Sequence, residues 1–113
     1  MPSPTSDPLL ALRDALREFA DARDWDQFHS PKNLAAALAV EAAELLEHYQ
    51  WSETASDPAK VREELADVLL YLIRLADKLD VDLTAAARDK IELNAKKYPV
   101  EKARGSARKY TDL

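Results

Sequence analysis

The chain has 113 residues, of which 47% are apolar and 33% charged, with a formal net charge of −5 and no cysteine. This length predicts one domain, residues 1–113; the acidic balance argues against general nucleic-acid binding, and the missing cysteines exclude disulfides, thiolate catalysis and cysteine-ligated zinc. No apolar run approaches the roughly 18 residues of a membrane span, and the first residues lack a signal-peptide pattern, so we expect no membrane partner and a cytoplasmic location.

The predicted fold class is all-α, with four helices that can be placed by their caps and apolar spacing. The first helix begins at Asp7-Pro8, where an N-cap residue precedes a proline, and it fades near residues 23–25. Residues 24–30 are predicted to form a loop that carries aromatic side chains. Residues 1–6 are expected to be flexible.

The second and third helices are predicted from the same sequence device. The second starts at Ser30-Pro31 and ends near Trp51, and the third starts at Asp57-Pro58. The connection 52–57 is short and polar, which favours an antiparallel pair of helices. The apolar stripe predicted for the second helix is Leu34, Leu38, Leu45 and Tyr49, and that for the third is Val61, Leu65, Val68, Leu72, Leu75 and Leu79.

A fourth helix is predicted over roughly residues 83–97, after a turn at 80–82, and Pro99 stops it. The tail, residues 100–113, is basic and has too little apolar periodicity to predict a helix. It contains the single glycine of the chain, Gly105.

Acidic residues interrupt the apolar stripes of the second and third helices. Glu41 and Glu44 are three residues apart and share one helix face, as do Glu64 and Asp67. Packing the two helices together would therefore bring four carboxylates toward one another. Buried like charges are costly unless something positive lies among them, and a hard cation such as Mg²⁺ prefers oxygen ligands.

Two other interpretations of these acids explain the pattern less well. A solvated helix face would explain any single glutamate, but it explains two pairs within apolar stripes less well. A carboxylate-bridged di-iron bundle needs Glu-x-x-His on two helices, and the chain has no such motif because Leu45, not Glu, precedes His48 by three positions.

The acidic pattern resembles the metal motif of the all-α nucleoside triphosphate pyrophosphohydrolases of MazG type, and within them the dCTP pyrophosphatase branch. The resemblance runs from about Leu9 to Leu113. Its segments are E41-A-A-E44 followed after 19 residues by E64-L-A-D67, then R23-D24-W25-D26-Q27-F28-H29, S30-P31-K32-N33-L34, Q50-W51, E63 through L72, N94, Y98-P99-V100, and R104 through L113. The connection 52–57 is shorter than in some relatives, which bears on the rim of the substrate site.

The resemblance implies a four-helix subunit that assembles as a tetramer, a dimer of dimers, with active sites shared between chains. The implied reaction is hydrolysis of a nucleoside triphosphate to the monophosphate and pyrophosphate. Glu41, Glu44, Glu64 and Asp67 correspond to Mg²⁺ ligands. The carboxylate that orients or deprotonates the attacking water stays open among Glu41, Glu44 and Glu63.

Substrate contacts are also implied by the resemblance. Trp25 and Trp51 could stack a base, because every base has a π face. Asn94 could pair with a base edge, and the tail would lie near the substrate. The complete set of predicted substrate-binding residues is Trp25, His29, Lys32, Trp51, Tyr71, Lys90, Asn94, Tyr98, Lys109 and Tyr110.

Three functional hypotheses follow. The first is hydrolysis of dCTP or a C5-modified dCTP; the second is the same reaction on a broader set of triphosphates or on dUTP, since an amide side chain can be flipped to suit either pyrimidine. The third is a non-catalytic helical module that binds nucleotides or partners without turnover.

Overall fold

The computed structural model describes residues 6–113, and all regular structure in that range is helical. Two compact units divide the chain, the first ending at Val81 and the second beginning at Asp82. The first unit contains α1 (Pro8–Ala22), α2 (Pro31–Glu47) and α3 (Pro58–Lys78), and the second contains α4 (Leu83–Lys97) and the one-turn α5 (Val100–Ala103). Single 3₁₀ turns occur at Asp26–Phe28 and Tyr110–Asp112.

The start of each long helix lies where the sequence predicted it. The N-cap side chains accept backbone N–H groups of the first turn, which otherwise have no partner in the helix. These bonds join Asp7 to Leu9 at 2.9 Å, Ser30 to Asn33 at 3.1 Å, Asp57 to Ala59 at 3.2 Å and to Lys60 at 3.3 Å, and Asp82 to Ala85 at 3.0 Å.

The ends of α1 and α3 share one geometry. Asp24 and Asp80 have left-handed backbone angles, with φ of 54° and 56°. The next residue in each case returns its N–H to a buried alanine carbonyl, Trp25 to Ala20 and Val81 to Ala76, both at 2.9 Å. This is the Schellman arrangement, which satisfies a terminal helix carbonyl and turns the chain sharply.

The end of α2 was predicted wrongly. The helix ends at Glu47 rather than near Trp51. The N–H of His48 bonds to the carbonyl three residues back, at 3.3 Å, and the His48 carbonyl accepts from Ser56 at 3.3 Å. The last turn has therefore tightened and the carbonyl that would continue the helix serves the connection instead.

Helix α3 packs against both α1 and α2, which confirms the predicted neighbours α2 and α3. The buried apolar side chains are Ala20, Leu34, Ile73 and Ala76. In α3 this differs from the predicted stripe, because Leu65, Leu72 and Leu79 are exposed while Ile73, Arg74 and Ala76 are buried. The helix has two apolar sides, and periodicity alone does not indicate which of them faces the rest of the subunit.

The second unit corrects the prediction for the tail, because residues 100–113 contain α5 and a 3₁₀ turn. Tyr98 and Tyr110 meet edge to face with ring centres 6.0 Å apart, and the Lys97 ammonium lies 5.0 Å from the Tyr110 ring centre. The expectation of a flexible start falls almost entirely outside the described residues. Within 6–113, none of the helices is long and apolar enough to cross a membrane.

Candidate active site

The four predicted carboxylates of α2 and α3 lie close to one another. Burial raises the pKa of Glu41, and the Glu44 carboxyl raises it further through a hydrogen bond and its charge. The charges of Asp67 and Glu64 act in the same direction. Each of the other three acids thus lies near enough to Glu41 to disfavour its ionised form.

The two helices carry these acids in antiparallel register. His48, one residue past the end of α2, has its Nε2 atom 2.7 Å from Oε2 of Glu64, near the start of α3. Glu41, earlier in α2, instead lies near Asp67, later in α3. His48 was not predicted as a site residue, although it follows Glu41 by seven residues and Glu44 by four and so continues their helix face.

Two carboxylate oxygens in this cluster, Oε2 of Glu41 and Oε2 of Glu64, are enclosed and have no hydrogen-bond partner. Nε2 of His48 lies 2.7 Å from Oε2 of Glu64 without making a hydrogen bond to it, and the two groups carry opposite charges only when the ring is protonated. A buried, unpaired carboxylate oxygen costs free energy that a bound cation would offset. We call Glu41, Glu44, Glu64 and Asp67 the carboxylate cluster.

The carboxylate cluster fits a hard divalent cation in its chemistry, because it offers oxygen donors and excess negative charge. Its side chains are not already arranged as a coordination shell. Within residues 6–113, no group of three or more acidic or histidine side chains stands ready to hold a metal ion. Binding a cation would therefore require the carboxylates to change rotamer.

A groove of about 390 Å³ opens beside the carboxylate cluster, formed by α1, α3 and the connection that follows α1. Four predicted site residues line it together: Trp25, His29, Asp67 and Tyr71. Asp67 belongs to both the groove and the carboxylate cluster. The other lining residues are Arg74 and six apolar residues, which are Leu12, Ala15, Leu16, Phe19, Ala20 and Leu70.

The aromatic side of the groove is built by edge-to-face contacts. The ring centres of Phe19 and Trp25 are 5.6 Å apart at 71°, and those of Trp25 and His29 are 6.4 Å apart at 66°. The Asn33 side chain donates to the Phe28 carbonyl at 3.0 Å, which ties the connection that carries Trp25 and His29 to the start of α2. Phe19 and Trp25 are 45% and 44% exposed, so part of each ring is accessible to a planar ligand.

Arg74 is buried, lines the groove and also takes part in a set of ion pairs. We call this set the arginine network, and its members are Arg17, Asp26, Arg74, Asp77 and Lys78. Arg17 donates twice to Asp77, at 2.8 and 2.6 Å, and Arg74 donates to Asp26 at 2.7 Å and to Asp77 at 3.4 Å. Lys78 also contacts Asp26. This network was not predicted from sequence, although Arg74 follows Tyr71 by three residues and Asp67 by seven on one face of α3.

Of the other predicted residues in the first unit, Lys32, Trp51 and Glu63 do not line the groove. Trp51 is 90% exposed, and Lys32 and Glu63 are exposed on α2 and α3. In the second unit, Lys90, Asn94 and Lys109 are exposed, while Tyr98 and Tyr110 contact each other.

Comparison with known proteins gives consistent matches. Residues 36–113 match the model of the MazG-like family. The chain is 46% identical to dCTP pyrophosphatase 1 of Mus musculus over 121 residues, covering 99% of this chain and 69% of the relative, and 43% identical to that of Homo sapiens over 122 residues with the same coverage. A pyrophosphatase crystal structure from Archaeoglobus fulgidus is similar with a TM-score of 0.74 and 42% identity, covering 79% of this chain and 90% of that one.

Proposed function

We propose that this chain, which belongs to the MazG-like family, hydrolyses dCTP or a C5-modified dCTP to the monophosphate and pyrophosphate, with Mg²⁺. Family membership and the relatives' activity make the chain an enzyme that hydrolyses nucleoside triphosphates. One observation carries the choice of site: the carboxylate cluster and the aromatic groove meet at Asp67. A nucleotide has the same two parts, a planar base and a charged phosphate chain.

The groove suits the base. Its volume of about 390 Å³ lies near the lower end for small-molecule sites, which span roughly 300–1,000 Å³. Trp25 and His29 provide aromatic surface, and Tyr71 adds a ring with a hydroxyl. With the base there, the phosphates would extend toward the carboxylate cluster past Asp67.

The proposed reaction adds water to the α-phosphorus and breaks the bond from that phosphorus to the bridging oxygen, so pyrophosphate leaves. Mg²⁺ held by Glu41, Glu44, Glu64 and Asp67 would neutralise the charge that develops on the phosphate oxygens. A carboxylate of the chain would orient the water and accept its proton, and Glu41, Glu44 and Glu63 are the candidates. Nε2 of His48, 2.7 Å from Oε2 of Glu64, would restrict the rotamers open to that ligand.

We also propose that the chain works in the cytoplasm as a homotetramer whose sites are shared between copies. The support is the apolar surface left uncovered in one chain, such as Val40 at 57% and Leu65 at 54% exposed. Surfaces of this kind are typical of subunits that associate. In this proposal the substrate contacts of Lys32, Trp51, Lys90, Asn94, Tyr98, Lys109 and Tyr110 complete the site.

The decisive experiment is product analysis on the purified chain, whose mass by light scattering also gives its oligomeric state. Each common NTP and dNTP is incubated with Mg²⁺ or with EDTA, and products are resolved by ion exchange. We expect monophosphate without diphosphate, only with Mg²⁺, fastest for dCTP. Glu44→Gln and Asp67→Asn should lower turnover by about 100-fold or more, the scale of losing a main charge-stabilising group, while the exposed Glu18→Gln stays active.

Other outcomes discriminate among the alternatives. Turnover spread over several bases, or fastest with dUTP, would keep the reaction and remove the cytosine specificity. Full activity of Asp67→Asn would reject the carboxylate cluster as the catalytic centre. No turnover of any nucleotide would favour a non-catalytic binding module, and a monomeric mass with full activity would reject the shared site.

A further inference from the structure

The side chain of Arg74 reaches the groove and the arginine network at once. It is only 6% exposed. Its Nε donates to Nδ1 of His29 at 3.2 Å, while its two terminal nitrogens donate to Asp26 and Asp77. The two carboxylates offset the cost of burying a guanidinium, which stays charged at any physiological pH. One buried arginine therefore fixes a residue of the groove from behind.

The direction of the bond to His29 determines where the imidazole proton lies. A guanidinium has donors and no acceptor, so Nδ1 of His29 must accept with its lone pair. A neutral imidazole carries one ring proton, which is then on Nε2. His29 is thus held as the Nε2–H tautomer and can offer a hydrogen-bond donor in the groove that it lines.

The charges around His29 favour this neutral form. Burial lowers the pKa of His29, and the positive charges of Arg74 and Lys78 lower it further, while Asp26 opposes them. Double protonation would also place an N–H of the ring against an N–H of Arg74. The hydrogen bond from Arg74 and the local charge therefore both favour the neutral form of His29.

Arg74 also fixes the segment on which the groove aromatics sit. It bonds to Asp26 and His29, which are the first residue of the 3₁₀ turn and the residue just after it. Trp25 lies immediately before that turn and contacts His29 edge to face. Holding both ends of the turn limits movement of the Trp25–His29 pair.

We propose that Arg74 is a positioning residue, which sets the Nε2–H tautomer of His29 and so presents a fixed donor to an acceptor atom of the substrate base. A ring nitrogen or carbonyl oxygen of a pyrimidine has the required lone pair. The inference rests on the proposed function for the identity of the ligand, but not for the tautomer itself.

The test combines NMR and kinetics on the full chain. Long-range ¹H–¹⁵N correlation of labelled histidine distinguishes the two tautomers, and the chain has two histidines, so His48→Asn assigns the signals. We expect the parent to show the Nε2–H pattern for His29 at neutral pH. Arg74→Met should give mixed tautomers and raise the KM for dCTP by about tenfold, the scale of one hydrogen bond of about 1.4 kcal/mol, with less change in kcat.

Lys78→Met is the matched control, because it also removes a cation that acts on Asp26 and His29, whereas the hydrogen bond to the His29 ring comes from Arg74. It should keep the Nε2–H pattern and the KM of the parent. The proposal is overturned if the parent shows the Nδ1–H or the doubly protonated ring, a result that needs no variant to fold. It is also overturned if Lys78→Met shifts the tautomer as Arg74→Met does. An inactive parent with the Nε2–H pattern would instead reject the proposed function alone.

Discussion

Helix α3 carries two groups of charged side chains that are built in opposite ways. Toward its start, Glu64 and Asp67 join two α2 glutamates in a cluster of like charge, with enclosed oxygens that have no hydrogen-bond partner. Toward its end, Arg74 and Asp77 belong to a network of alternating charge in which guanidinium and carboxylate groups are paired at 2.6–3.4 Å.

The arginine network stabilises the fold, whereas the carboxylate cluster has the charge and chemistry of a ligand-binding site. In the arginine network each buried charge has its counter-charge within the chain, so the network is complete in the protein alone. In the carboxylate cluster the contact of Glu64 with His48 can balance at most one of the four charges, so the proposed cation would balance the rest. Neutralising one residue should therefore have opposite consequences in the two places.

The largest effect on stability is expected at Asp77. Asp77→Asn leaves Arg74 buried with one carboxylate instead of two, and we expect it to cost about 3 kcal/mol of unfolding free energy, as for a buried pair that loses a partner. The melting temperature should fall by about 10 °C or more in a chain of this size. Calorimetry or urea unfolding measures it.

The control for this substitution is Asp14→Asn. Asp14 also pairs with an arginine, Arg13 at 3.0 Å, but its side chain is 56% exposed. Its loss should cost less than about 1 kcal/mol, because water screens exposed pairs. Equal losses at both positions would contradict the distinction between a buried network and a surface pair.

A smaller effect, of opposite sign, is expected at Glu41. In EDTA, Glu41→Gln should melt at the parent's temperature or slightly above it, because the substitution relieves like-charge repulsion. Mg²⁺ at about 100 times its Kd should stabilise the parent by about 2.7 kcal/mol, and the variant by less. The order of the two melting temperatures should then reverse.

Thermal scans with and without Mg²⁺ decide this point. Asp77→Asn is the control, since it should keep the parent's gain from Mg²⁺ although it starts from a lower melting temperature. A Glu41→Gln variant that is strongly destabilised in EDTA would show that the carboxylate cluster stabilises the fold and does not bind a cation.

The smallest expected effect is the loss, at low pH, of the stability that Asp77 contributes. The hydrogen bonds and charge of Arg17 hold the pKa of Asp77 below its ordinary value of 3.8, despite burial. A carboxyl whose folded pKa is lowered contributes stability above its unfolded pKa, and that contribution disappears as the pH falls through the folded value. The difference in urea midpoint between parent and Asp77→Asn should stay constant from about pH 7 to 5 and shrink below about pH 4. A difference that grew on acidification would contradict the ion pairing.

The local features of the fold could be predicted from sequence. Each helix start depends on a cap residue and its own first turn, as at Ser30 and Asp57, and the structure confirms them. The convergence of the carboxylates could be predicted too, because spacings of three residues place Glu41 with Glu44 and Glu64 with Asp67.

The features that sequence reasoning missed depend on distant partners. Arg74 meets Asp26 across 48 residues of sequence and Arg17 meets Asp77 across 60, so no local pattern links them. The end of α2 depends on the bond between His48 and Ser56, which forms only once the connection has folded. The 90% exposure of Trp51 likewise depends on the folded connection and not on a local sequence pattern.

Asp24 and Asp80, whose left-handed backbones end α1 and α3, are positions where a substitution could raise the free energy of unfolding. The steric cost of such a backbone is about 1–2 kcal/mol for a residue with a β-carbon and absent for glycine. Asp80→Gly would recover part of it, because glycine also has more backbone freedom to lose on folding. Asp24→Gly would recover less, because the Asp24 side chain accepts the Gln27 amide at 2.9 Å. Asp24→Gly would also make the backbone just before Trp25 more flexible. Asp80→Gly, at the end of α3, is therefore the substitution that relieves more strain with less effect on the groove.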